Sequence, residues 1–126
     1  MEHPTESSLG DDGTACVAVV GEIDFTNADE VAQAMRDAVA EWSPPELRVD
    51  LRAATFIDST GLGALIEGYR VATERDARFV VTNPSPSFRQ VLTVTGLCDL
   101  FGLSEADGRA EQDESRRLSS AEAAGA

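Results

Sequence analysis

The chain of 126 residues carries a formal net charge of −13, from 23 acidic residues against 10 basic ones, and every basic residue is an arginine. A chain of this length can bury one hydrophobic core and is too short for two. Nucleic acids and anionic membranes are bound through concentrated basic patches, so the charge argues against both as partners. The same charge favours attraction to a basic protein surface.

The sequence shows no sign of export, of a membrane anchor or of a metal site. No apolar run approaches the length of about 18 residues that spans a bilayer. Met1-Glu2-His3-Pro4 lacks the basic and then apolar order of a signal peptide, so we expect a cytoplasmic protein. Cys16 and Cys98 lie far apart, without the spacing of a zinc site or a Cys-x-x-Cys motif. They predict two buried, reduced thiols, and we expect no metal and no cofactor.

Both ends of the chain are more polar than its middle. Residues 1–13 are hydrophilic and contain glycine, which predicts a disordered N-terminal tail. Residues 104–126 are rich in Glu, Ser, Ala and Gly, which predicts an acidic tail with at most one frayed helix starting near Ser104. The folded domain is therefore expected to span residues 14–103.

The first predicted elements of the domain are a strand and a helix. Ala15–Val20 is apolar and largely β-branched, as in a strand that is covered on both faces. Thr26 with Asp29, or Asn27 with Glu30, offers a capping box for the following helix. Apolar residues at spacings of three and four predict its buried face, which consists of Val31, Met35, Ala38, Val39 and Trp42.

Two strands and a second helix follow. Pro44-Pro45 ends the first helix, and Leu47–Leu51 then alternates apolar and polar residues as a strand does. Thr55–Ile57 is strand-like and leads to a helix whose apolar pattern begins at Leu62. The spacing predicts a stripe of core residues on this helix, namely Leu62, Leu65, Ile66 and Tyr69.

The last predicted elements are a strand, a helix and a short strand. Phe79–Val81 has the composition of a strand. Ser85-Pro86 caps a third helix and Gly96 ends it. The apolar residues of this helix are Phe88, Val91 and Leu92. Cys98–Phe101 is predicted as a final strand. Strands that alternate with helices in so short a chain predict the α/β class, with helices packed on a sheet.

The segment Asp58-Ser59-Thr60-Gly61-Leu62-Gly63 lies where a strand becomes a helix. Asp, Ser and Thr are capping residues, because their side-chain oxygens accept bonds from N–H groups that the first helical turn leaves unpaired. Ser59 would be presented outward, and the two glycines would keep the surface flat enough for another protein to approach closely. Plainer roles stay open, with Ser59 as a cap alone and the glycines serving tight packing alone.

Three blocks of sequence resemble the STAS domain of bacterial anti-sigma factor antagonists. They are Gly21-Glu22-Ile23-Asp24, Leu47-Arg48-Val49-Asp50-Leu51 and the segment Asp58–Gly63, within a match from about Thr14 to about Leu103. The resemblance implies a single STAS-like domain with a mixed sheet of about four to five strands. The family has a strand before the one that contains Cys16, whereas Thr5–Gly13 is short and hydrophilic in this chain.

The resemblance also implies a function for this segment. In the family, its first serine is phosphorylated by an anti-sigma factor that is itself a serine kinase, and Ser59 stands at that position. The implied partner-binding residues are Asp24, Asp58, Ser59, Thr60, Gly61, Leu62 and Gly63. On this hypothesis the chain captures the kinase and so frees a sigma factor. Phosphorylation of Ser59 switches the chain off, and a PP2C-type phosphatase resets it.

Two other functional classes stay open, whereas the residues available argue against a hydrolase. The only histidine, His3, lies in a polar segment, so Ser59 has no credible general base. Gly63–Gly68 has the glycine spacing of a phosphate loop, but Tyr69-Arg70 follows where Lys-Ser/Thr is required. The first alternative is a STAS domain that serves unphosphorylated as a structural or sensor subunit of a larger assembly. The second is an enzyme or ligand-binding protein that holds an anion at the glycine-rich helix start.

Overall fold

The computed structural model describes residues 3–103 of the chain. The strands of this part are β1 (Thr5–Leu9), β2 (Ala15–Val19), β3 (Gly21–Ile23), β4 (Glu46–Asp50), β5 (Ala54–Ile57) and β6 (Arg78–Thr82). The helices are α1 (Ala28–Trp42), α2 (Ser59–Glu74) and α3 (Pro86–Thr95). The alternation of strands and helices confirms the predicted α/β class.

The strands form a four-stranded sheet and a separate two-stranded sheet. The larger sheet has the order β1-β2-β4-β6, in which β1 runs antiparallel to β2 and the other neighbours are parallel. In the smaller sheet, β3 pairs with β5 in parallel. The larger sheet is therefore mixed, as the resemblance implies, and the smaller sheet leads directly into α2.

The predicted disordered tail over residues 1–13 is wrong, because Thr5–Leu9 forms the edge strand β1. Its backbone pairs with β2, and the carbonyl of Pro4 continues the ladder by accepting a bond of 2.8 Å from the N–H of Val20. Most side chains of β1 are exposed, so the strand needs no apolar residues. The predicted tail over residues 104–126, including the helix near Ser104, lies outside the described residues.

The hydrophobic core lies between the larger sheet and the helices. α1 packs on β1, β2 and β4, while α2 packs on β6 and on α1. The predicted face of α1 is confirmed, since Val31, Met35, Ala38 and Val39 are buried and Trp42 packs against them. On β2 only alternate side chains are buried, so the prediction of a strand covered on both faces is wrong.

The two cysteines are free and only half-buried, in contrast to the predicted burial. Cys16 lies on the face of β2 that points away from α1, next to Arg48 and Asp50 of β4. Burial and, to a lesser extent, the Asp50 carboxylate raise the pKa of its thiol. The thiol therefore stays protonated at neutral pH, in the unreactive form.

Two predictions for the second half of the chain are corrected by the structure. In the predicted stripe of α2, Leu65 is 1% exposed but Ile66 is 41% exposed. Cys98–Phe101 forms turns rather than a strand, because the N–H of Phe101 bonds locally to the carbonyl of Leu97 at 2.9 Å. The buried ring of Phe101 then packs edge-on against Phe79, with ring centroids 5.4 Å apart.

The predicted ends of α3 are confirmed. The hydroxyl of Ser85 accepts a bond of 3.2 Å from the N–H of Phe88, and Pro86 occupies the first helical position. Gly96 ends the helix with a φ of 77°, a left-handed conformation that glycine adopts without strain. Phe88 and Leu92 are buried, whereas Val91 is 42% exposed.

Candidate functional site

The smaller sheet brings two aspartates to one edge of the fold. Ile23 of β3 pairs with Ile57 of β5, and the N–H of Asp58 donates to the carbonyl of Ile23 at 3.1 Å. Because the strands are parallel, Asp24 and Asp58 follow them at the same, carboxyl end. The sequence blocks that contain these residues are therefore neighbours in space, as the resemblance implies.

Asp58 is the N-cap of α2 and the helix begins at Ser59, which confirms the predicted capped helix start in this segment. Its Oδ1 accepts bonds from the hydroxyl of Thr60 at 2.6 Å and from the N–H of Gly61 at 2.9 Å. These two donors, the Thr60 hydroxyl first, lower the pKa of Asp58 below the usual range of an aspartate. A carboxylate is therefore held ionised at the positive end of the helix dipole.

Ser59 is the first residue of α2 and is exposed. Thr60, its exposed neighbour, has its hydroxyl committed to Asp58. Among residues 3–103, the Ser59 hydroxyl makes no hydrogen bond, and Asp58 already fills the capping role. The plainer interpretation of Ser59 as a cap is therefore wrong, and its hydroxyl is the one in this segment without a hydrogen bond to residues 3–103.

Asp24 fixes the turn that enters α1. Its Oδ1 accepts bonds from the N–H of Thr26 at 2.9 Å and from the Thr26 hydroxyl at 2.5 Å. The predicted capping boxes are absent from this turn, because the Asn27 side chain spans the loop instead of capping the helix. It accepts from the N–H of Asp24 and donates to the carbonyl of Glu22, both at 2.9 Å. The Asp24 loop is thus tied down by its own side chains.

The two glycines of the segment have different surroundings. A Cβ on Gly61 would lie 2.7 Å from Cγ2 of Ile57 and 2.9 Å from Cγ2 of Ile23, so α2 can approach the smaller sheet only with glycine here. A Cβ on Gly63 would meet no atom within 4 Å, and this residue is exposed. Gly61 therefore allows close packing, whereas at Gly63 no side chain projects from the surface near Ser59. Leu62 between them is half-buried and packs on the core.

A groove of about 530 Å³ runs between α1 and α2 beside the segment. Its lining consists of Phe25, Ala28, Asp29, Ala32, Arg36, Thr60, Gly63, Ala64 and Glu67. Arg36 of α1 reaches Glu67 of α2 across it, with Nη1 3.3 Å from Oε2. Sequence reasoning missed Phe25, whose signal is a large aromatic in a polar turn, outside the apolar stripe of α1.

The described part of the chain offers no obvious place for a metal ion. Residues 3–103 contain no group of three or more His, Cys, Asp and Glu side chains that could ligate one. None of the helices in residues 3–103 is long and apolar enough to cross a bilayer. The carboxylates of Asp24 and Asp58 accept hydrogen bonds within their own turns.

The fold and the segment after β5 define a STAS domain. The sequence model of that family matches residues 8–110, so the chain belongs to the STAS domain family. It is 36% identical to an anti-sigma factor antagonist from Mycobacterium paratuberculosis, whose crystal structure superposes with a TM-score of 0.68 over 77% of this chain and 80% of that one.

Two further proteins resemble this chain, one in sequence and one in fold. The anti-sigma-B factor antagonist of Listeria monocytogenes is 28% identical over 92 residues, which are 73% of this chain and 80% of the relative. Phosphorylated SpoIIAA, a Bacillus cell fate determinant, shares the fold with a TM-score of 0.62 and 22% identity, over 74% of this chain and 84% of that one.

Proposed function

We propose that the chain is an anti-sigma factor antagonist that binds a serine-kinase anti-sigma factor and thereby releases a sigma factor. The observation that carries this proposal is the exposed Ser59 hydroxyl, which is free of hydrogen bonds to residues 3–103 at the first position of α2. Support comes from the named antagonists among its relatives. The proposed site of action is the cytoplasm, where sigma factors meet RNA polymerase.

The proposed partner-binding surface consists of Asp24, Asp58, Ser59, Thr60 and Gly63. Gly61 and Leu62, which the sequence also suggested, hold α2 against the smaller sheet and the core instead. Asp24 and Asp58 make the proposed surface acidic, so it suits a basic rim around the nucleotide site of the kinase. Gly63 lets a partner approach the helix start closely, because no side chain stands there. Binding and phosphorylation then use one surface.

Phosphorylation of Ser59 is the proposed off-switch. The Ser59 oxygen attacks the γ-phosphorus of ATP and gives its proton to a base of the kinase or to water, while the bond from the γ-phosphorus to the bridging oxygen breaks and ADP leaves. The phosphate adds about −1.5 to −2 charges beside the side chains of Asp24 and Asp58, which disfavours an interface fitted to a neutral hydroxyl. A PP2C-type phosphatase would transfer the phosphoryl group to water and restore the hydroxyl.

The assignment is tested by incubating the chain with a candidate serine kinase and ATP, and by mapping the product by mass spectrometry. We expect Ser59→Ala to abolish modification. Ser87→Ala is the matched control, since Ser87 is also an exposed serine in the first turn of a helix, and it should be modified like the unchanged chain. Modification of Ser59→Ala at the full level would contradict the proposal.

A further inference from the structure

Phe25 is the most exposed large hydrophobic side chain in the described part of the chain, at 78%. It stands between Asp24 and Thr26 in a turn that is held by three hydrogen bonds, two from Thr26 to the Asp24 carboxylate and one from the Asp24 N–H to the Asn27 side chain. The ring is therefore displayed on a fixed turn rather than on a loose loop. Binding of the ring would therefore cost little conformational entropy in this turn, which favours affinity.

The ring of Phe25 lines the groove between α1 and α2 together with Thr60 and Gly63. Thr60 directly follows Ser59, so the aromatic side chain and the proposed phosphorylation site share one continuous surface. Phe56, the other strongly exposed phenylalanine in the described residues, is 57% exposed and lines a different, small cleft toward α3.

The charges around Phe25 are predominantly negative. Glu67 in the groove forms ion pairs with Arg36 at 3.3 Å and with Arg70 at 2.7 Å, so its negative charge is compensated. Asp24 and Asp29, by contrast, have no basic side chain within ion-pair distance among residues 3–103. An exposed apolar ring is thus bordered by uncompensated carboxylates.

We propose that Phe25 is the anchor by which the chain binds its anti-sigma partner, and that the ring enters an apolar pocket rimmed by arginine or lysine. This inference rests on the proposed function and adds the residue that supplies affinity and selects the partner. Aromatic anchors with a surrounding polar rim are typical of the strongest contacts in interfaces. A second copy of this chain or an anionic lipid surface fits poorly, because each would bring like charge to Asp24 and Asp29.

The test measures binding of the purified kinase that phosphorylates Ser59, by titration calorimetry without ATP. Phe25→Ala should weaken binding by about tenfold or more, while Phe25→Trp should stay within about threefold because an aromatic anchor remains. Phe56→Ala is the matched control and should change the dissociation constant by less than about twofold. Asp29→Asn should reduce the salt dependence of binding, because it removes one rim charge.

The possible outcomes separate the anchor from the function on which it rests. If the unchanged chain is bound and phosphorylated but Phe25→Ala binds within twofold of it, the anchor is wrong and the proposed function stands. Equal losses for Phe25→Ala and Phe56→Ala would also overturn it, since binding would then follow general hydrophobicity. If no kinase binds or modifies the unchanged chain, both the proposed function and the proposed role of Phe25 are wrong. Thermal melting checks that each variant is folded.

Discussion

Gly61 and Gly63 show how strongly the role of a residue depends on its surroundings. Both belong to the first two turns of α2, and their spacing in the sequence gives no reason to treat them differently. Only the distances to Ile23 and Ile57 reveal that Gly61 lies against the smaller sheet while Gly63 faces the groove. Stability should therefore depend on the first glycine, and partner binding on the second.

We predict opposite effects for alanine at these two positions. Gly61→Ala should lower the free energy of unfolding by about 1 to 3 kcal/mol, because the new Cβ clashes with two isoleucine methyl groups. Gly63→Ala should raise it by about 0.5 to 1 kcal/mol, since alanine favours a helix and meets open space here. Urea denaturation measures both, and a stable Gly61→Ala variant would show that α2 can shift away from the smaller sheet.

For single residues, the sequence predicted those structural features that depend only on the residue types of neighbouring positions. Asp58 followed by Ser59 and Thr60 predicts a capped helix start, and Asp58 is the cap. Phe25 could not be placed in the same way. Its exposure depends on how the bonds of Asp24 and Asn27 direct the turn, and a phenylalanine in a sequence is by default a core residue.

Among the elements, α2 tests the apolar stripe most directly. Leu65 is 1% exposed and faces the core, whereas its neighbour Ile66 is 41% exposed. Leu65→Ala should cost about 2 to 5 kcal/mol of stability, the usual range for a buried leucine. Ile66→Ala is the control and should cost about 1 kcal/mol or less. Similar losses in thermal or urea melts for both variants would contradict the orientation of α2.

The elements also differ in how far the sequence could predict them. α1 was predictable because five apolar residues at helical spacing form one face, which packs on the larger sheet and on α2. β1 was not, because four of its five residues are exposed and its stability comes from backbone pairing with β2, which leaves no apolar pattern. Cys98–Phe101 was misassigned because the periodicity of so short an apolar run does not identify its secondary structure.

At the scale of the whole molecule, phosphorylation of Ser59 should change charge without changing the fold. The phosphate would lie at the N-terminus of α2, where the helix dipole stabilises an anion by about 0.3 to 1 kcal/mol. Asp24 and Asp58 oppose it. We therefore predict that amide resonances shift only near Ser59, while binding of the anti-sigma factor falls by about tenfold or more. Shifts throughout the larger sheet in ¹⁵N-correlated spectra would indicate a conformational switch instead.

The pairing of β3 with β5 has a consequence for what a kinase can recognise. Asp24 and Ser59 lie far apart along the chain and become neighbours only when the carbonyl of Ile23 accepts the N–H of Asp58. A linear peptide containing Ser59 would carry the hydroxyl but neither the Asp24 turn nor the Phe25 ring. The proposed acceptor is thus a discontinuous epitope, so a chain that has not folded, or has begun to unfold, would escape both capture and modification.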